Sequence, residues 1–358
     1  MNAPFAPETM ICRLADLRDP NERRAIDAFV AAHPEGTAFH RLAWLEAAAA
    51  GTGNAAHALL GESGGAITAY LPLNAIHSPI FGRVMVSSGF AVGGGLLLAP
   101  HARGDAIFSA AEELALRQNC PTLELRGGPV PRGRKGWAVK TDSHCGFVVP
   151  LAADDDAQLK AIPRKQRAEV RKGLANDLGV TVGRGAADRD AHYAVYAESV
   201  RNLGTPVFPR ALFEAMLDRF GEDADILTVS SEGRPVASVL SFYHDGAVLP
   251  YWGGGVWDAR RLRANDRMYF ELMRHARERG CERFDFGRSK TGSGAYHFKR
   301  NWGFEPEPLA YASWTAPGAE PRDADPTSAK HAAQIAVWQR LPLGIANRLG
   351  PWIARGLG

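Results

Sequence analysis

SEGRPVASVLSFYHDGAVLPYWGGG, residues 231–255, decides the fold. Gly233 and the Asp245-Gly246 pair break runs rich in Val, Leu, Phe and Tyr, the pattern of successive antiparallel strands joined by tight turns. A helical pattern follows the triple glycine: Met268, Leu272, Met273 and Ala276 make an apolar stripe, Asn265 is placed to cap its start and Gly280 to stop it. A strand-like CERFDFGR then begins at Cys281. The same order occurs earlier in the chain. ESGGAITAYLPL (62–73) leads to AVGGG ending at Gly95, then to a helix expected from Asp105 to Asn119 with Ile107, Ala111, Leu114 and Ala115 inward, then to CPTLELRGG from Cys120. The two glycine triplets lie 160 residues apart and the two cysteines 161, so one architecture is used twice.

A meander followed by a helix and one further strand gives a mixed α+β unit, not a doubly wound parallel sheet. No G-x-G-x-x-G follows a strand, which removes the dinucleotide-binding reading. At 358 residues the chain suits roughly two domains: residues 10–150, residues 151–315, and a separate basic tail at 326–358. With 46% hydrophobic and 23% charged residues it is a folded globular chain, which excludes disorder and coiled coil.

Forty-two basic against thirty-nine acidic side chains leave a net charge of +3. That is too little for a dedicated duplex binder, yet it leaves room for a local basic surface facing an anionic partner. Cys12, Cys120, Cys145 and Cys281 are far apart and form no C-x-x-C pair, so they read as reduced thiols of a cytoplasmic protein. The start of the chain lacks the basic and apolar regions of an export signal. From Ala66 to Pro100 Arg83 is the one charged residue, which suggests a membrane span, but Pro72, Pro79, Gly82 and Gly89 argue for short buried strands. No H-E-x-x-H or comparable ligand spacing exists, and Ser87-Ser88-Gly89 and Ser289 lack a hydrolase elbow, so neither a metal nor a serine nucleophile is expected. Asp154, Asp155 and Asp156 suit the first turn of a helix.

Two clusters carry chemistry. In IPRKQRAEVRKG (162–173), Pro163 can open a helix on which Arg164, Arg167 and Arg171 share one face, Lys165 and Lys172 flank it, and Val170, Leu174 and Leu178 are buried. Such a face is either simply solvated or a dock for phosphates, where Arg offers bidentate contacts and Lys a point charge. In FDFGRSKTGSGAYHFKRNWGFEPEPLAY (284–311), a strand ends in a glycine-punctuated loop bearing Arg288, Ser289, Lys290, Tyr296, His297, Lys299 and Arg300. The interleaved Tyr296, Phe298, Trp302 and Phe304 would be costly to expose together, which favours a site.

These two motifs, with the duplicated unit, resemble the Fem-type (FemAB-related) transferases, in particular the branch associated with exosortase/PEP-CTERM exopolysaccharide systems. The resemblance spans most of residues 10–315. It implies two tandem acetyltransferase-like (GNAT) domains and transfer of an acyl or aminoacyl group, from aminoacyl-tRNA or acyl-CoA, to an amino group of a polysaccharide or cell-envelope precursor carried on a nucleotide or lipid; the alternative is a non-catalytic exopolysaccharide-assembly binding protein that kept the fold and lost the chemistry. No tightly bound cofactor is implied. Tyr296, Phe298 and Lys299 match the Fem Y-x-F-K element, whose Lys is implicated in stabilising the oxyanion of acyl transfer. The second domain is then expected to carry the site, with Tyr251, Trp252 and Tyr296 shaping the pocket, Arg288, Ser289 and Lys290 on the substrate, and Arg164, Lys165, Arg167, Arg171 and Arg263 on phosphate. His297, by strand alternation, is expected to point away. Ordinary GNAT enzymes hold the coenzyme A pyrophosphate with [QR]-x-x-G-x-[GA]; here Arg260-Arg261-Leu262-Arg263-Ala264-Asn265 puts Arg and Asn where the small residues belong.

The tail has Lys330, Arg340, Arg348 and Arg355 but no acid after Asp325, and Ile335, Trp338, Leu341, Ile345, Leu349, Trp352 and Ile353 recur at helical spacing. Two readings stay open: a helix lying on the anionic inner face of a membrane, or packing against the body of the protein.

Overall fold

The computed structural model describes residues 10–320 and 332–358. The chain divides into two compact units. One comprises the residues up to Lys140, the stretch from Ala310 to residue 320, and Gly356–Gly358; the other comprises Thr141–Leu309 and residues 332–355.

The first unit runs β1 (Ile11–Leu14), α1 (Pro20–Ala32), α2 (Leu42–Thr52), β2 (Ala55–Ser63), β3 (Ala66–Ser78), β4 (Gly82–Ser87), β5 (Leu97–Leu98), α3 (Asp105–Arg117), β6 (Thr122–Arg126) and β7 (Trp137–Lys140). The second runs β8 (His144–Gly146), β9 (Val148–Pro150), α4 (Asp155–Ala161), α5 (Arg164–Ala175), β10 (Gly179–Gly183), α6 (Ala186–Leu203), α7 (Arg210–Phe220), β11 (Ala224–Ser231), β12 (Arg234–His244), β13 (Ala247–Gly255), α8 (Ala259–Leu262), α9 (Ala264–Glu278), β14 (Arg283–Asp285), β15 (Ser289–Lys290), α10 (Gly294–Asn301) and β16 (Glu307–Pro308). β17 (Tyr311–Thr315) belongs to the first unit, and α11 (Ala332–Arg340) and α12 (Leu343–Ala354) to the second.

The expected repeat is present. In the first unit β2, β3 and β4 form an antiparallel meander, and after α3 the strand β6 pairs parallel with β4 at Met85–Leu123 and Val86–Glu124. In the second, β11, β12 and β13 form the meander, and after α9 the strand β14 pairs parallel with β13. The first sheet has the order β1-β2-β3-β4-β6-β17-β7 with β5 on β3; the second is β10-β11-β12-β13-β14-β9, beside a small β15-β8-β16 sheet. Both large sheets are mixed. The 66–100 stretch forms strands and turns of a buried sheet, with Leu71, Leu73, Ile76, Val84, Met85 and Val86 at the core.

Three details differ from the sequence reading. The first unit closes at Lys140, not near residue 150, because β9 pairs with β14 of the second sheet. Residues 311–315, read with the second domain, lie between β6 and β7, where Ala312 and Trp314 fill the first unit's core. Asn265 does not cap α9: it lies inside the first turn, and Arg263, in the left-handed region at φ 54°, precedes the helix. Asp154 does cap α4, accepting from the Ala157 N–H at 2.7 Å, and Asp155 pairs with Arg274 and Arg277. All four cysteines are free. Residues 326–331 of the tail, Lys330 among them, lie outside the described residues.

Candidate active site

The site grows out of a divergence in the second sheet. β13 and β14 pair only at Ala247–Arg283 and Val248–Phe284, so from Leu249 to Gly255 the β14-facing edge of β13 has no strand partner among the described residues. The other edge stays paired with β12 as far as Gly255, opposite Ala237. A register shift between Leu240 and Ser241 leaves Tyr251 as an extra residue, and such a bulge bends and twists its strand. An open strand edge presents N–H and C=O groups that need a partner, and an extended, amide-bearing molecule can supply one.

A cavity of about 230 Å³ opens over this edge, lined by Gly253–Gly255 together with Ser199, Asn202, Asn265, Tyr269 and Phe298. α6 reaches the strand because residue 254 has no side chain: a Cβ there would sit 2.2 Å from the Ser199 Oγ. The Asn265 Oδ1 is buried without a partner, and burial raises the Tyr269 phenol pKa. A second cavity of about 480 Å³ shares Asn202 and Trp257 with the first and adds Glu198, Arg201 and Gln339. Glu198 is the one carboxylate among the residues lining the two. Its Oε1 accepts the Trp257 N–H at 3.3 Å. The Trp257 side chain is exposed, with the Arg260 guanidinium 5.1 Å from its ring centre.

Lys299 follows the cavity-lining Phe298 on the helix Gly294–Asn301. Residues 294–301 are helical, not a loop, because Ser293 caps the turn by accepting from the Tyr296 N–H at 3.2 Å. The Lys299 side chain is buried; its ammonium donates to the carbonyls of Arg288 at 2.8 Å and Gly287 at 3.2 Å, and lies 5.3 Å from the ring centres of both Phe147 and Phe286. One ammonium N–H has no partner among the described residues. Burial lowers the Lys299 pKa to about 8, against the opposing pull of Asp285, with Arg288 lowering it further. Burial also raises the Asp285 carboxyl, which accepts the Gly287 N–H at 2.9 Å.

Of the pocket residues expected from the sequence, Phe298 lines the cavity. Trp252 instead faces the core, packed on Phe213 with ring centres 5.0 Å apart, and Tyr251 stands edge-on to Trp252. Tyr296 packs edge-on to Phe147, and neither it nor Lys299 lines either cavity. Ser289 is buried, its Oγ without a partner, and with Lys290 it pairs to β8. Arg288 is half-buried, as is Lys290. His297 is exposed on α10, so the alternation argument does not apply, although the side chain does turn outward.

The basic face of α5 divides in two. Arg164, Lys165 and Arg171 are exposed, and none of them is in an ion pair among the described residues. Arg167 instead donates to the carbonyls of Ile162 and Lys160, closing the end of α4, and Arg263 is tied to Glu169 and to the Arg260 carbonyl. Pro163 stands just before the helix, not at its first position. Residues 259–262 form a helical turn, and the N–H groups of Ala259, Leu262, Arg263 and Arg267 are bonded to the chain's own carbonyls. Glu198, Asn202, Trp257 and Tyr269 went unnoticed in the sequence. Their one signal was the four-residue spacing that puts Glu198 with Asn202, and Asn265 with Tyr269, on common helix faces.

Residues 162–300 match the family model described as Acetyltransferase (GNAT) domain. No curated protein matches the sequence. Among solved structures, the chain is similar to the crystal structure of FemX, at 16% identity and a TM-score of 0.62, over 81% of this chain and 95% of that one. It is also similar to the tandem GNAT protein from the clavulanic acid biosynthesis pathway, at 14% identity and a TM-score of 0.56, over 87% and 100%. The L-PGS from Bacillus licheniformis follows at 14% and 0.53, over 90% and 96%. At these identities what is shared is the fold: an α+β chain with two mixed sheets in the manner of tandem GNAT structures, with helices at its C-terminal end.

Proposed function

We propose that the chain is a Fem-like N-acyltransferase whose second unit passes an acyl or aminoacyl group to a primary amine on a polysaccharide or cell-envelope precursor, in keeping with its resemblance to the exopolysaccharide-associated branch. The observation that carries this reading is the open edge of β13 over one cavity, which shares Asn202 and Trp257 with a second cavity that Glu198 lines. In this reading the Gly253–Gly255 edge offers its N–H and C=O groups to the carbonyl and amine of the donor's aminoacyl group, and the acceptor amine enters past Trp257. Glu198 takes one proton from the incoming ammonium, the freed nitrogen lone pair attacks the donor carbonyl carbon, and the carbon–heteroatom bond to the donor carrier breaks with its electron pair going to the leaving group, which takes the second proton that the nitrogen sheds. Lys299 offers its remaining N–H to the oxyanion, where a charge-assisted donor in a dry site is worth a few kcal/mol, roughly 3.

The donor is an aminoacyl-tRNA in this proposal. Arg164, Lys165 and Arg171 form an unpaired basic face for its phosphates, and in the turn at 259–262 the N–H groups of Leu262 and Arg263 are committed to the carbonyls of Asp258 and Arg260. An acyl-CoA donor is the second reading, favoured by the match of residues 162–300 to an acetyltransferase model. Thermal shift separates them: aminoacyl-tRNA should raise the melting temperature and coenzyme A should not, and the reverse result moves the donor to coenzyme A. If neither ligand shifts melting and no product forms from either donor with amine acceptors, the transferase reading fails.

A further inference from the structure

α12 buries one row of small residues and exposes a stripe of large ones. α12 packs on α6 through a buried row of Ala346, Gly350 and Ala354, and a Cβ on Gly350 would lie 3.0 Å from both the Cγ1 and the N of Val207. On the opposite face Ile345, Leu349 and Trp352 are 46%, 46% and 50% exposed, at the spacing of one helical stripe. Val337 of α11 is 63% exposed. A helix that serves only its own core would turn these side chains inward. Arg340 and Arg348 are exposed on the same two helices, and the sequence has no acid after Asp325 to neutralise them. No helix among the described residues is long and apolar enough to cross a membrane. α12, with 12 residues, is roughly 18 Å long, a length that lies along a bilayer and does not span it.

We propose that this face is a peripheral docking surface for an anionic lipid bilayer. Ile345, Leu349 and Trp352 enter the boundary between headgroups and acyl chains, and Arg340 and Arg348 meet lipid phosphates. The choice of lipid over a protein partner rests on charge. The face is positive without a single acid among residues 326–358, so it complements a surface that is uniformly negative, and Trp beside Arg is the pairing that suits the headgroup layer. Packing on α6 and lying on a membrane are therefore two faces of one helix.

Co-sedimentation of the full chain with vesicles tests this. Vesicles of phosphatidylcholine and phosphatidylglycerol in equal parts should pull down the protein, vesicles of phosphatidylcholine alone should hold it at least about tenfold more weakly, and added salt should weaken the first and not the second. The variant with Ile345→Ser, Leu349→Ser and Trp352→Ser should keep its circular dichroism and melting temperature and lose binding by about tenfold or more. Arg348→Gln alone, which leaves the packing untouched, should lower affinity only for the anionic vesicles. A wild-type chain that stays in the supernatant, or a triple variant that binds as well, overturns the proposal. So does Trp352-dependent self-association without vesicle binding, which would make the face a protein interface.

Discussion

Lys299 donates to the main-chain carbonyl of Arg288 at 2.8 Å, so the buried ammonium and the segment that follows β14 hold each other in place. Lys299→Ala should lower turnover by roughly a hundredfold with the fold intact, the magnitude of a lost oxyanion donor. Unchanged turnover in a folded variant ends the assignment. The residue also leaves a signature in stability. The folded amine gives up its proton near pH 8, whereas the unfolded one keeps it to 10.5, so the folded chain binds fewer protons in between. This residue's contribution to stability therefore rises with pH across that window, by up to about 3 kcal/mol. Denaturant melts of wild type and Lys299→Met, compared from pH 7 to 10, should diverge in favour of the wild type.

Glu198→Gln keeps the shape of the second cavity and removes its one carboxylate. Turnover should fall about tenfold to a hundredfold, and the drop should shrink as pH rises and the amine arrives already neutral. Donor affinity should stay as it was. A variant with equal loss at every pH would show that the carboxylate holds Trp257 in place and takes no proton.

Removing the exposed charges of α5 together, as Arg164→Ala, Lys165→Ala and Arg171→Ala, should weaken aminoacyl-tRNA binding about tenfold or more at low salt and flatten its dependence on salt. Arg167→Ala should behave differently, because its guanidinium closes α4. Filter binding should barely change, while stability drops by about 1 kcal/mol.

His192 is buried, bonded through Nδ1 to the Ser238 hydroxyl at 3.1 Å, and burial lowers its pKa to about 3. The unfolded imidazole takes its proton near 6.5, so the folded chain binds fewer protons between the two values and loses stability as pH falls through that range. His192→Leu should lose less stability on acidification from pH 7 to 4 than the wild type, measured by urea melts at each pH.

The repeat was legible because turns and glycine breaks are local and recur at a fixed spacing. The second unit's helix α9 was legible from its apolar stripe, although its cap was not: Asn265 has the right chemistry, yet the helix begins at Ala264, after Arg263 in the left-handed region two residues earlier. α10 was hidden by its own glycines, since TGSG reads as a loop until Ser293 is seen to cap the next turn. Trp252 was misplaced because its neighbour Tyr251 is a bulge, and one extra residue changes which side chains face the core. Glu198 carries no motif. It becomes a site residue only because α6 crosses β13 at a glycine, a contact between positions more than fifty residues apart.

β17 completes the first sheet from a position beyond every strand of the second unit. During synthesis the earlier unit therefore waits for the later one: the ribosome must have made the second sheet in full before the strand that closes the first emerges. A chain truncated after Leu309 would lose α11 and α12 and leave the first sheet with an open edge at β6, while the second sheet would retain all its strands, so the sheet begun last is the sheet able to close first.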